Sequence, residues 1–385
     1  MNAFSPPDSG ASQIARVAIH GGPDAAGVPL HDFSTNSNAA GPCPDALRAV
    51  QAADASHYPD PAYTALREAL GAFHRVAPAR VVLAASASEF IHRITALAAL
   101  QGAKDVAVPR HGFGEYARAA LARGLRSLPC IAPVDAPLQW ACEPASPLGL
   151  ADPALAVWSS GFAAPGSGGM HRAATPADAG GDTVGPLRVL DCAYAPLRLE
   201  GPAAWTGAPG AHLPQHCWQL WSPNKALGLT GVRAAYAIAP ASAVLQVQAL
   251  EALAPAWPVG AHGAALLQAW VRPGVQRWLV YSLGTLRVWK SRQQALCQDL
   301  DWAVHPGSLA NYFCAQPDSA DGPQELQMRL AALRPCGIKL RDCTSFGLPG
   351  SVRLGVLRPL AQDALRATWL GLRGTPLTPV TPAIS

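Results

Sequence analysis

Apolar positions along this chain change their period several times. Behind Asp60-Pro61, Leu66, Leu70 and Phe73 recur at helical spacing. A helix is predicted to begin at that dipeptide, because aspartate can cap free amides and proline suits the first helical position. Short apolar runs then alternate with amphipathic segments. Residues 81–83, 106–108, 155–158, 187–190, 217–221 and 234–239 read as strands, and 89–100 and 113–122 as helices. That alternation predicts an α/β fold with a mainly parallel sheet and helices on both faces. From about residue 245 the character changes to helical stretches (245–254, 261–271, 285–300) and then to short strands and turns. The expected organisation is a segment 1–44 packing with a small domain, a large domain 45–250, and a smaller α+β domain 251–385. Residues 161–185, rich in Gly, Ala, Pro and Thr, read as a long loop.

Composition narrows the class. Half of the 385 residues are hydrophobic and 14% are charged, which fits a globular chain with a sizeable core. The net charge of +4 comes without any basic run, so a small anionic ligand is expected and a nucleic acid is not. Nine cysteines, with no pair spaced C-x-x-C, predict buried free thiols in a reducing compartment. Neither a signal peptide nor a membrane span is expected, and the protein reads as cytoplasmic. No metal is expected: His212 and His216 lie four apart in a Pro-interrupted loop without an acidic neighbour. No Ser/His/Asp arrangement with a nucleophile elbow is present.

The segment with the most chemistry is Ser222-Pro223-Asn224-Lys225-Ala226-Leu227-Gly228-Leu229-Thr230-Gly231-Val232-Arg233. A lysine at a strand-to-loop junction, with a hydroxyl three residues before it and an arginine eight after, suits pyridoxal phosphate. The amine can condense with the cofactor's aldehyde, while Ser222 and Arg233 take phosphate oxygens. The competing reading of these residues is a surface lysine in a Gly-rich turn.

Other landmarks, taken together, resemble fold-type I pyridoxal-phosphate enzymes of the class I/II aminotransferase group, and within it the cobalamin-pathway branch of L-threonine-O-3-phosphate decarboxylases. These are His20-Gly21-Gly22, Asp32-Phe33-Ser34-Thr35-Asn36-Ser37-Asn38, His57-Tyr58-Pro59-Asp60-Pro61, Ala85-Ser86-Ala87-Ser88-Glu89, the run from Pro109 to Tyr116, Asp191-Cys192-Ala193-Tyr194, Ser308-Leu309-Ala310-Asn311-Tyr312-Phe313, and Ile338 to Leu348 with Val352-Arg353-Leu354. The resemblance implies a large domain with a mainly parallel seven-stranded sheet between helices, plus a smaller α+β domain. It implies pyridoxal 5′-phosphate held by Lys225. Ser86, Ala87 and Ser88 would cradle the phosphate with Ser222 and Arg233, Phe113 would lie over the ring, and Tyr194 would meet its 3-oxygen. Asp191 would keep the ring nitrogen protonated, as an opposite charge does. Tyr58 would reach the cofactor of a partner subunit in a homodimer. His20, Asn38, Arg341 and Arg353 would meet the substrate, Arg353 through its carboxylate and Arg341 with His20 through a phosphate. The family's Asn-Pro-Thr-Gly finds its best local register at Ala164-Pro165, where the asparagine is missing.

The resemblance therefore implies decarboxylation of L-threonine O-3-phosphate to (R)-1-amino-2-propanol O-2-phosphate for cobalamin biosynthesis. One rival is a histidinol-phosphate-type aminotransferase sharing Lys225, Asp191, Arg233 and Arg353. The other is a non-catalytic homologue acting in corrinoid assembly, which the intact Lys225 and Asp191 count against.

Overall fold

The computed structural model describes residues 21–131, 134–160, 185–317 and 322–372. Its strands, in chain order, are β1 (His31–Asp32), β2 (Val81–Ala84), β3 (Asp105–Pro109), β4 (Arg126–Cys130), β5 (Leu138–Cys142), β6 (Leu187–Asp191), β7 (Trp218–Trp221) and β8 (Ala235–Ile238), then β9 (Ala303–Val304), β10 (Tyr312–Gln316), β11 (Ile338–Lys339), β12 (Arg341–Asp342) and β13 (Val352–Gly355).

Seven of these form one sheet in the order β2-β8-β7-β6-β5-β3-β4. Only β8 runs against its neighbours, so this is the mainly parallel sheet that the alternation predicts. Strands β5 and β7 are buried at every position. Helices cover both faces of such a sheet, which is why its central strands read as continuous apolar runs. Because β2, β3, β5, β6 and β7 point the same way, the loops after them open on one edge. Ligands of open α/β sheets bind at that carboxyl edge.

A second sheet has the order β12-β13-β10-β9 and is antiparallel, while β1 pairs in parallel with β11. One continuous apolar cluster runs from Leu190 and Trp221 beneath the large sheet to Phe313 and Leu354 of the small one. Helix Pro273–Asp299 contributes Leu279, Leu283 and Leu286 to it.

Three local expectations are corrected. Residues 155–158 lie in helix Pro153–Ser160, not in a strand. The Asp152 carboxylate accepts from the Ala154 amide at 2.9 Å, and Pro153 occupies the first turn, a start signal that a four-residue apolar run conceals. The helix expected at Asp60-Pro61 begins instead at Thr64, after Tyr63 in the left-handed region (φ 49°). Asp60 caps that preceding turn through the Ala62 and Thr64 amides. The helix expected from residue 285 starts at Pro273, twelve residues earlier. Strands β4 and β5 were not anticipated; β4 is an edge strand that carries Pro129, a residue that sheet interiors exclude.

All nine cysteines are free; seven are buried, Cys130 is half-buried and Cys336 is exposed. Among the described residues no helix is long and apolar enough to cross a membrane. The loop expected at 161–185 lies, up to residue 184, outside the described residues, as do Ala164 and His20.

Candidate active site

The loop after β7 carries Lys225. Its backbone is pinned on both sides: the amide donates to Asn224 Oδ1 at 3.0 Å, and the carbonyl accepts from the Asn38 and Gly228 amides at 2.9 and 3.2 Å. Asn38 also donates its side-chain amide to Ala226 O and Ser282 Oγ, so it secures the lysine loop. Only the Lys225 side chain is left to move, and its Nζ lies 5.2 Å from the centre of the Tyr194 ring.

Asp191 ends β6, beside β7 in the sheet. Its carboxylate is buried, accepting from the Tyr116 hydroxyl at 2.7 Å and from the Ala193 amide at 2.9 Å. Burial pushes the Asp191 carboxyl up, opposed by the Ala193 amide, the Tyr116 hydroxyl and the charge of Lys225. Lys225 and Asp191 thus lie at the ends of adjacent strands, close enough for the charge of one to act on the other. Tyr194 stands between this pair and the small sheet: its hydroxyl accepts from Asn36 at 3.2 Å and its ring meets Tyr312 edge-on at 4.8 Å.

On the other side of β8, the loop after β2 leads into helix Ala87–Leu100. Ser86 caps it, accepting from the Glu89 amide at 3.1 Å. The amides of Ala87 and Ser88, at the positive end of the helix dipole, remain for an anion. The nearby Glu89 carboxylate is matched by buried Arg93, with nitrogens at 3.0 Å from both oxygens, so it does not confront an incoming phosphate with net charge. Ser222 is buried and its hydroxyl has no partner among the described residues. Arg233 is exposed at the start of β8, on the same edge, and makes no hydrogen bond or ion pair among the described residues. Phe113 precedes helix Gly114–Leu121 at the end of β3 and packs edge-on against Tyr116 at 5.8 Å.

The small sheet supplies two arginines. Arg341 and Arg353 are directly opposite each other in the β12·β13 ladder, and both are buried. Arg353 donates to Ser146 Oγ at 3.0 Å and to Ser34 O at 2.9 Å, while its Nε has no partner among the described residues. Arg341 donates to Asp342 O at 2.8 Å and to Ser345 Oγ at 2.7 Å. Both guanidinium groups lie over the Phe346 ring, at 4.8 Å for Arg341 and 5.6 Å for Arg353. Burial and the neighbouring charge of Arg353 push the Arg341 guanidinium down.

Tyr58 stands apart from these groups. It is 78% exposed and stacks on Trp257 at 4.4 Å.

Three residues of the site carry no role on sequence grounds: Tyr116 and Asn36, which lie within landmarks, and Ser146, which does not. Tyr116 could have been found three residues after Phe113 on a helix, where both side chains share a face. Ser146 belongs to Ser146-Pro147-Leu148-Gly149, which follows β5, the neighbour of Asp191's strand. This Ser-Pro-Leu-Gly has the proline and glycine spacing of Asn-Pro-Thr-Gly, while Ala164 lies outside the described residues. Gly149 sits at φ +75°, and a Cβ there would fall 2.4 Å from Ser308 Oγ, so this turn requires glycine.

Residues 187–363 match the family model "Aminotransferase class I and II". The histidinol-phosphate aminotransferase of Rhodospirillum rubrum is 27% identical over 336 residues, covering 85% of each chain. The family-model match spans a little under half of the chain. Solved structures of the same fold include histidinol-phosphate aminotransferase from Sinorhizobium meliloti in complex with pyridoxal-5′-phosphate (TM-score 0.68, 19% identity, covering 88% of this chain and 90% of that one). L-threonine-O-3-phosphate decarboxylase from Porphyromonas gingivalis is another (TM-score 0.64, 18% identity, covering 89% and 99%).

The matched family model and the fold shared with a pyridoxal-5′-phosphate complex imply pyridoxal 5′-phosphate as the cofactor. The residues present fit it. A buried carboxylate at 191 calls for a cationic partner, the orphaned Ser222 hydroxyl calls for an acceptor, and the Ala87–Ser88 amides suit a phosphate.

Proposed function

We propose that this protein is a decarboxylase of L-threonine O-3-phosphate, producing (R)-1-amino-2-propanol O-2-phosphate for cobalamin biosynthesis. The observation that carries the reading is the cross-strand pair Arg341/Arg353. Like charges directly opposite in a ladder destabilise it, so a buried pair of this kind is explained by ligand binding better than by folding. Two guanidinium groups suit a ligand with two anionic ends, such as an amino acid bearing a phosphate.

When bound, pyridoxal 5′-phosphate supplies an aldehyde for an amine and a protonated ring that withdraws electrons from the substrate's Cα. Lys225 would hold the cofactor through its Nζ and would be the group that moves a proton at the substrate's Cα. Arg353 grips the α-carboxylate, steadied by Ser146 and Ser34. Arg341 grips the phosphate, steadied by Ser345. With both ends fixed, one substituent of Cα is presented for cleavage, an orientation effect worth several kcal/mol (roughly 7–11 in the best-aligned cases). In decarboxylation CO₂ leaves and the Lys225 ammonium returns one proton to Cα. Asp191 would set a negative charge against the ring nitrogen. The protein works as a cytoplasmic homodimer in which exposed Tyr58 meets the partner subunit's cofactor phosphate.

A second reading, a histidinol-phosphate-type aminotransferase, is favoured by the names of the relatives with curated functions. It would use the same Lys225 and Asp191, with a proton leaving Cα in place of CO₂. Incubating the cofactor-loaded protein with O-phospho-L-threonine decides between them. Release of CO₂ without a 2-oxo acid supports decarboxylation. Formation of glutamate from 2-oxoglutarate with histidinol phosphate, and no CO₂, overturns it.

A further inference from the structure

The turn between β3 and helix Gly114–Leu121 holds His111, a residue no role above uses. Its Nδ1 lies 2.7 Å from the carbonyl oxygen of Phe346. A carbonyl only accepts, so the imidazole proton sits on Nδ1 and is donated across the boundary between the two sheets. Among the described residues no other hydrogen bond to that carbonyl is present. The turn Thr344–Phe346 is otherwise closed by its own short-range bonds, Phe346 N to Cys343 O and Gly347 N to Thr344 O, both at 2.9 Å. Those bonds shape the turn but do not fix it against the large sheet.

What that turn carries matters. The Phe346 ring lies beneath both guanidinium groups, and Ser345 accepts from Arg341. Two residues beyond His111, the same β3 turn presents Phe113, the candidate cover of the cofactor ring. One hydrogen bond therefore connects the element that anchors the substrate's anionic ends to the element that faces the cofactor.

We propose that His111 is a positioning residue: by holding the Phe346 carbonyl it sets where Arg341 and Arg353 stand relative to the cofactor ring, and so governs affinity for the doubly anionic substrate. This deepens the functional reading above and rests on it.

The test compares His111→Leu, which removes the donor, with His111→Asn, whose amide can donate from near the Nδ1 position. In the cofactor-loaded protein, His111→Leu is expected to raise KM for O-phospho-L-threonine about tenfold with kcat within about threefold, and His111→Asn to restore most of the affinity. Hydrogen–deuterium exchange of the same proteins without substrate should show faster exchange at 344–348 in His111→Leu only. Unchanged KM in His111→Leu, unchanged exchange at 344–348, or equal defects in both variants that follow thermal stability would overturn the proposal. A wild-type protein inert toward O-phospho-L-threonine would instead sink the functional reading, with the exchange measurement still deciding whether the His111 tether exists.

Discussion

The Tyr116 hydroxyl donates to Asp191 Oδ2 at 2.7 Å, joining helix Gly114–Leu121 to the acid at the end of β6. Tyr116 is fully enclosed, stacked on Trp140 at 4.5 Å with the rings 12° apart. Its burial raises the phenol well above the ordinary range, so the proton stays on tyrosine and the charge on aspartate. Tyr116→Phe keeps the packing and leaves one carboxylate oxygen short of a donor, a loss of about 1–3 kcal/mol. The cofactor should bind roughly tenfold more weakly, read by spectral titration. Equal binding by wild type and Tyr116→Phe would mean that Asp191 needs no orienting partner.

Ser146 is the nearest test of the substrate arginine. It is one of two neutral acceptors that fix buried Arg353. Ser146→Ala should raise KM for the amino-acid substrate about tenfold, the expected consequence of one lost bond to a charged group. Ser146→Asn keeps an acceptor within reach and should stay closer to wild type. An unaltered KM in Ser146→Ala would show that Ser34 alone orients the guanidinium.

Lys225→Ala should abolish the visible absorbance of lysine-bound cofactor and lower turnover by about 10²–10⁴-fold or more, the range for removing a positioned proton-transfer group. A variant that keeps both would overturn the assignment of the lysine.

His74 gives a pH prediction. Its Nε2 lies 2.9 Å from the Tyr236 hydroxyl, which accepts from Trp270 Nε1 at 3.0 Å and so donates to the histidine. Burial pushes the imidazole down from 6.5 to about 3. Below pH 6.5 the unfolded chain takes up a proton that the folded protein refuses, so stability is lost as the pH falls toward 3. The loss between pH 6.5 and 5 is about 2 kcal/mol from this group. His74→Gln keeps an acceptor but does not titrate, and urea unfolding at the two pH values should show a loss smaller by that amount. Identical losses in both proteins would count against a neutral buried His74.

Some of the site was readable residue by residue. The spacing of Ser222, Lys225 and Arg233 carried its chemistry locally, and so did the Ser86 helix start, because caps and strand ends are set by near neighbours. Leu155 to Trp158 misled for the same reason: four apolar residues in a row suit a buried strand or a helix equally. Ser146 had no local signal because it gains meaning only from Arg353, 207 residues away.

From the sequence alone came the α/β alternation, the lysine of the strand-end loop, and an acid closing a strand before it. Tertiary structure decided which loops share the sheet's carboxyl edge, that Asn38 holds the lysine loop, and that Arg341 and Arg353 face each other across a ladder. Periodicity and capping are written in residues a few positions apart, whereas those pairings depend on strand order and burial, which exist only once the distant segments have packed.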